Sequence, residues 1–174
     1  GLAARKQQKV GGMLTLAYSM EMRKVEQRID AAEVAAQDIN MLDIPQQVWP
    51  MKVPAIHLTI HSALDLAKAN IFGGGSDPFV VVYLDFKKPA EDPLFKTRVI
   101  DDNLSPVWEE SFNIPLGVNM TPGSTTAKDF PTIRLEVYDY NRIMKGEFLG
   151  MCEIPPAVYF QRKNGEFKLG TKTT

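Results

Sequence analysis

From Val53 onward the pattern is β throughout, and this property limits the possible folds more than any other. Ile56, Leu58 and Ile60 alternate with His57, Thr59 and His61, the period of a strand with one buried face. Similar runs cover residues 79–84, 95–100, 108–114, 132–138, 148–154 and, more weakly, 166–171. Gly, Pro, Asp and Asn fill the gaps, as turn chemistry requires. Short strands joined by such turns predict an antiparallel sandwich.

The first 52 residues read differently. Residues 12–20 alternate as a strand. Residues 21–42 lack Gly and Pro and are rich in Ala, Glu, Gln, Met and Arg, which favour helix. Met22, Val25, Ile29, Ala32, Ala36 and Ile39 form one apolar stripe, so an amphipathic helix is expected, ended by Asp43, Pro45 and Pro50. The expected organisation is a strand and helical extension or linker over 1–52 and a β domain over 53–174. The polar stretch 119–129 is expected to be a connection and not a site.

Bulk properties narrow the function. The net charge is −1, so no global basic field draws the molecule to nucleic acid. Cys152 is the only cysteine, which rules out an internal disulfide and fits a reducing cytoplasm. No apolar run approaches the roughly 18 residues of a membrane span. The start resembles no signal peptide, and the chain reads as a fragment of a longer protein.

Three stretches carry a family resemblance. The first runs from Leu64-Asp65-Leu66-Ala67-Lys68 through Gly73-Gly74-Gly75 to Ser76-Asp77-Pro78-Phe79-Val80. The second is Lys96-Thr97-Arg98 with Asn103-Leu104-Ser105-Pro106-Val107-Trp108-Glu109-Glu110. The third is Leu135-Glu136-Val137-Tyr138-Asp139-Tyr140-Asn141-Arg142, then Glu147-Phe148-Leu149-Gly150. In this order they resemble the signature of C2 domains, named for a conserved region of protein kinase C. The Asp-Leu-Ala-Lys and Asn-Arg elements are similar to C2 domains of HECT-type ubiquitin ligases; ferlins and synaptotagmins are also similar. The resemblance implies an all-β, eight-stranded antiparallel Greek-key sandwich. Residues 12–20 resemble the family's edge strand, either this domain's own first strand or the last strand of an upstream domain.

The resemblance also implies calcium as cofactor, held by acids from two apical loops. Calcium takes about six to eight hard oxygen ligands. Asp77 and Asp139 match family ligands. Glu147 matches a position where relatives usually carry Asp, and Asn141 one where many carry Asp. Asn70 lies near the first ligand position, in a loop one residue longer than usual. With two amides among five positions, one or two ions are expected, at roughly 10⁻⁵ to 10⁻³ M for the protein alone.

Anionic phospholipid membrane is the expected partner. Ile71 and Phe72 stand at the tip of the first loop, Ile143 and Met144 at the tip of the third, with Arg142 and Lys145 beside them. Lys96, Arg98, Lys87 and Lys88 match or adjoin the strand that binds phosphoinositides in related domains, although Asp85, Glu91 and Asp92 dilute the charge. The helix offers a possible protein partner a docking face. His57 and His61 stand four apart on a strand, roughly 13 Å, and cannot share a metal. Gly73-Gly74-Gly75 lacks the Lys of a phosphate loop. No catalytic arrangement can be assembled, so a binding module rather than an enzyme is expected.

Overall fold

A computed structural model describes residues 10–25, 51–69, 75–116, 130–141, 146–161 and 164–172. Eight strands occur among them: β1 (Met13–Val25), β2 (Met51–Leu64), β3 (Pro78–Asp85), β4 (Phe95–Lys96), β5 (Val107–Pro115), β6 (Thr132–Asp139), β7 (Glu147–Ile154) and β8 (Gly165–Lys168). They form two four-stranded sheets, β5-β2-β1-β8 and β4-β3-β6-β7. All pairings are antiparallel. The chain crosses between the sheets after β2, β4, β5 and β7. The alternating sequence predicts an antiparallel sandwich, and the count of eight strands is the one the family resemblance implies.

Alternation builds the core directly. Ile56, Leu58 and Ile60 of one sheet and Val80, Val82, Ile133, Leu135 and Val137 of the other are fully buried between the layers. Burying one such side chain contributes about 1.5–3 kcal/mol. The intervening residues of β2 face outward and pair across the strand gap. His57 meets Asn113, Thr59 meets Ser111 and His61 meets Glu109, at 3.0, 2.8 and 2.8 Å. The two histidines thus have separate partners on a sheet surface. Trp108 is fully buried, and its indole N–H donates to the Arg98 carbonyl at 3.1 Å.

One short element was not foreseen: helix α1, Pro156–Tyr159. Pro155 and Pro156 at its start were the available signal, since Pro is tolerated in a first helical turn. It seats Tyr159 in the core, where the hydroxyl donates to the Pro131 carbonyl at 2.9 Å.

The helix expected over 21–42 is corrected at its start. Glu21 to Val25 continue β1, in register with Ala55 to Met51 of β2. Helix propensity there is a few tenths of a kcal/mol per residue, and a neighbouring strand offering a full ladder outweighs it. Residues 26–42 lie outside the described residues. β1 itself runs between β2 and β8, and Leu14, Leu16 and Tyr18 are buried in the same core as Ile56.

Candidate functional site

Two of the predicted acids meet at one end of the second sheet. β3 begins at Pro78, β6 ends at Asp139 and β7 begins at Glu147, and the register sets these three residues in one row. Pro78 opens its strand, where a missing N–H is least costly. The Asp77 amide donates to Asp139 Oδ1 at 2.5 Å, and the Tyr140 amide donates to the Asp77 carbonyl at 2.9 Å. Gly146 closes the third loop tightly: a Cβ there would lie 2.7 Å from the Asp139 carbonyl oxygen, so a side chain would force the loop away.

Asp139 is buried, with 4% of its surface exposed. Burial pushes its carboxyl above the usual range and the neighbouring Asp77 charge adds to the rise, while the Asp77 amide works against it. Asp77 is only half-buried. Its Oδ1 accepts the Asp102 amide at 2.7 Å. On both aspartates the other oxygen, Oδ2, accepts no hydrogen bond among the described residues. A partly desolvated carboxylate beside a second one is the environment that a cation relieves.

The donor set fits a hard divalent ion in part. Asp77 and Asp139 supply two carboxylates of the right chemistry. Glu147 is opposite Asp139 in the ladder but exposed. Among the described residues no three acidic, His or Cys side chains stand close enough to share a metal ion. Asn141 is exposed, and Asn70 lies outside the described residues. The pair by itself does not make up a metal site among the described residues.

Residues 55–169 match the family model of the C2 domain. The chain belongs to the C2 domain family. It is 30% identical over 133 residues to Synaptotagmin-3 of Arabidopsis thaliana, covering 76% of this chain and 22% of that protein. It is 32% identical over 111 residues to the RasGAP-activating-like protein 1 of Mus musculus, covering 63% of this chain and 12% of that protein. The chain thus spans less than a quarter of the length of either relative. A C2 domain of RIM from Drosophila superposes with a TM-score of 0.61 at 15% identity, covering 92% of this chain and 99% of that one. A C2 domain of RIM2 gives 0.56 at 17% identity, covering 94% and 100%. At such identities the structural likeness is one of fold.

The other predicted sites of this C2 domain divide between two outcomes. Ile71, Phe72, Arg142, Ile143, Met144 and Lys145 lie outside the described residues. Lys96, on β4, is exposed opposite Val81. Arg98 is occupied: its guanidinium pairs with Glu110 at 3.1 Å and donates to the Val107 carbonyl at 3.1 Å. Lys87 and Lys88 are exposed in the connection that follows β3.

A second group of ionic residues was not foreseen. On the outer face of β6, Arg134, Glu136 and Tyr138 alternate with the core residues Ile133, Leu135 and Val137. Arg134 donates to both carboxylate oxygens of Asp85, at 2.6 and 3.1 Å, and also to Glu136. The Tyr138 hydroxyl donates to Glu136, and Lys172 reaches the same carboxylate at 3.0 Å. Burial opposes ionisation of Glu136, but the bonds from Tyr138 and Lys172 and the charges of Lys172 and Arg134 prevail and hold it below its ordinary value. The sequence signal was the polar residue at every second position of β6.

Proposed function

We propose that this C2 domain docks on anionic phospholipid membranes with the help of calcium, as a targeting module of a larger, peripherally bound cytoplasmic protein rather than as an enzyme. The observation that carries the reading is the juxtaposed pair Asp77 and Asp139, with Asp139 buried and held above its usual pKa. These two residues would hold the cation, with Glu147, Asn141 and Asn70 as further donors from the same loops. A bound calcium ion supplies positive charge that lipid phosphate can complete. At the same end Tyr140 exposes 46% of its surface, a ring suited to the interfacial layer. Ile71, Phe72, Ile143 and Met144 provide apolar insertion, and Arg142 and Lys145 meet headgroup phosphate. The functional unit includes β1, which is paired on both sides within the sandwich.

A calcium-independent module that binds protein or phosphoinositide is the second reading. It is favoured by the lack, among the described residues, of a third acid close enough to share the ion. Lys96 is the exposed cation it would use, and the segment expected as a helix would serve a protein partner. Sedimentation with phosphatidylserine vesicles, with calcium and with chelator, separates the readings. The first requires binding that calcium strengthens and that Asp77→Asn removes. Equal binding in chelator overturns it.

A further inference from the structure

The loop between β4 and β5 grips the loop that carries Asp77, residue by residue. The Gly75 amide donates to Asp102 Oδ1. The Asn103 amide donates to the Ser76 carbonyl at 2.8 Å. The Asp102 amide donates to Asp77 Oδ1 at 2.7 Å, and the Ile100 amide to the Pro78 carbonyl at 3.1 Å. Asp102 alone acts in both senses. Its carboxylate receives one loop amide, and its own amide orients the carboxylate two residues further on.

Local geometry supports a purpose beyond turn formation. Asp102 has φ of 47°, a left-handed conformation that Asp and Asn adopt more readily than other non-glycine residues. This backbone aims its N–H at Asp77. Gly75 packs so closely that a Cβ would stand 2.8 Å from Asp102 Oδ1 and 3.1 Å from the Asp102 carbonyl carbon. The two loops can meet this way only with glycine at 75. Asp102 cannot itself join the pair as a third ligand: its Oδ1 is engaged, and no three-acid group is present among the described residues.

We infer that Asp102 is a positioning residue for the cation site. It locks one oxygen of Asp77 to the second loop and holds the Gly75 amide, and so fixes the loop whose Asp77 amide donates to Asp139. This inference rests on the cation reading given above. Its energetic logic is that of outer-shell partners, whose loss costs about 10–100-fold in metal affinity.

The test compares wild type, Asp77→Asn, Asp102→Gly and Asp102→Asn by calorimetric titration with calcium chloride, alongside amide hydrogen exchange at Gly75 in chelator. D102G keeps the left-handed backbone without strain and deletes the acceptor. D102N keeps both. The expected result is calcium affinity about 10–100-fold weaker in D102G, near wild type in D102N, and faster Gly75 exchange in D102G alone. If D102G does not fold, wild-type Gly75 exchange carries the test: protection supports the grip, and exchange at the unfolded-chain rate overturns it. Wild-type affinity in D102G overturns the positioning role and leaves the cation reading intact. Equal weakening in D102G and D102N also overturns it, because charge and not the acceptor would then be responsible. If wild type takes up no calcium, the cation reading fails and the positioning role fails with it, whatever Gly75 exchange shows.

Discussion

The Asp77 amide and the Asp139 carboxylate meet at 2.5 Å where β3 begins and β6 ends. The bond joins residues 62 apart in the chain and brings two carboxyl groups together in a partly desolvated place. Such an arrangement works against folding unless a cation or a proton arrives.

Asp139→Asn is therefore expected to stabilise the metal-free protein. Its folded pKa is raised by burial and by Asp77, so the charged form carries a cost at neutral pH. Asparagine keeps the Oδ1 acceptor for Asp77 and removes the charge. A rise in Tm of roughly 2–4 °C in chelator is expected, with loss of any calcium-induced shift. An unchanged or lowered Tm in chelator would show that the charge is not costly there.

Arg134→Met is expected to be among the most damaging substitutions on the sheet surface. Arg134 has 11% of its side chain exposed and neutralises Asp85 and the nearly buried Glu136 together. Removing it leaves carboxylates with too few partners, at a cost of about 3–5 kcal/mol. Urea denaturation gives the number directly. A loss below about 1 kcal/mol would mean that Lys172 and solvent suffice.

Glu136 sets part of the acid limb. Its folded pKa lies below the ordinary 4.5, so its contribution is complete above that value and is lost as pH falls through the lower folded value. The groups that face it are Arg134, Tyr138 and Lys172. Glu136→Gln should lower stability at pH 7, and the gap to wild type should narrow below pH 4.5. A gap of constant size from pH 7 to pH 3 would contradict this.

Cys152 should behave as a core residue and not as a reactive thiol. It is 7% exposed, and burial pushes its thiol up to about 12. A chromogenic disulfide reagent at pH 8 should react with it only after urea unfolds the chain. Prompt labelling of the native protein would contradict its burial.

The residues expected at two loop tips give the last prediction. Exchanging Phe72 and Met144 together for Ser should weaken vesicle binding in calcium while Tm stays unchanged, because side chains that insert into lipid contribute little to the fold. If Tm falls and binding persists, these residues pack within the protein.

Much of the architecture was legible because a strand's side chains alternate between its two faces. Ile56, Leu58 and Ile60 declared one buried face, and the turn residues between runs marked where strands end. The ordered motifs around Asp77, Trp108 and Asp139 were enough to place the family. Local pattern failed where a partner strand decided the outcome. Residues 21–25 carry good helix formers, yet they pair with 51–55 because β2 lies alongside. The same limit applied to the site. The family resemblance nominated Asp77 and Asp139 as calcium ligands, but the sequence could not say that one would donate its amide to the other. It offered no reason to notice Asp102, or that Lys172 would cap Glu136. Alternation and turn chemistry act between neighbours and are written along the chain. Carboxylate burial, charge neighbours and loop-to-loop hydrogen bonds depend on which distant segments meet, and only the folded sandwich decides that.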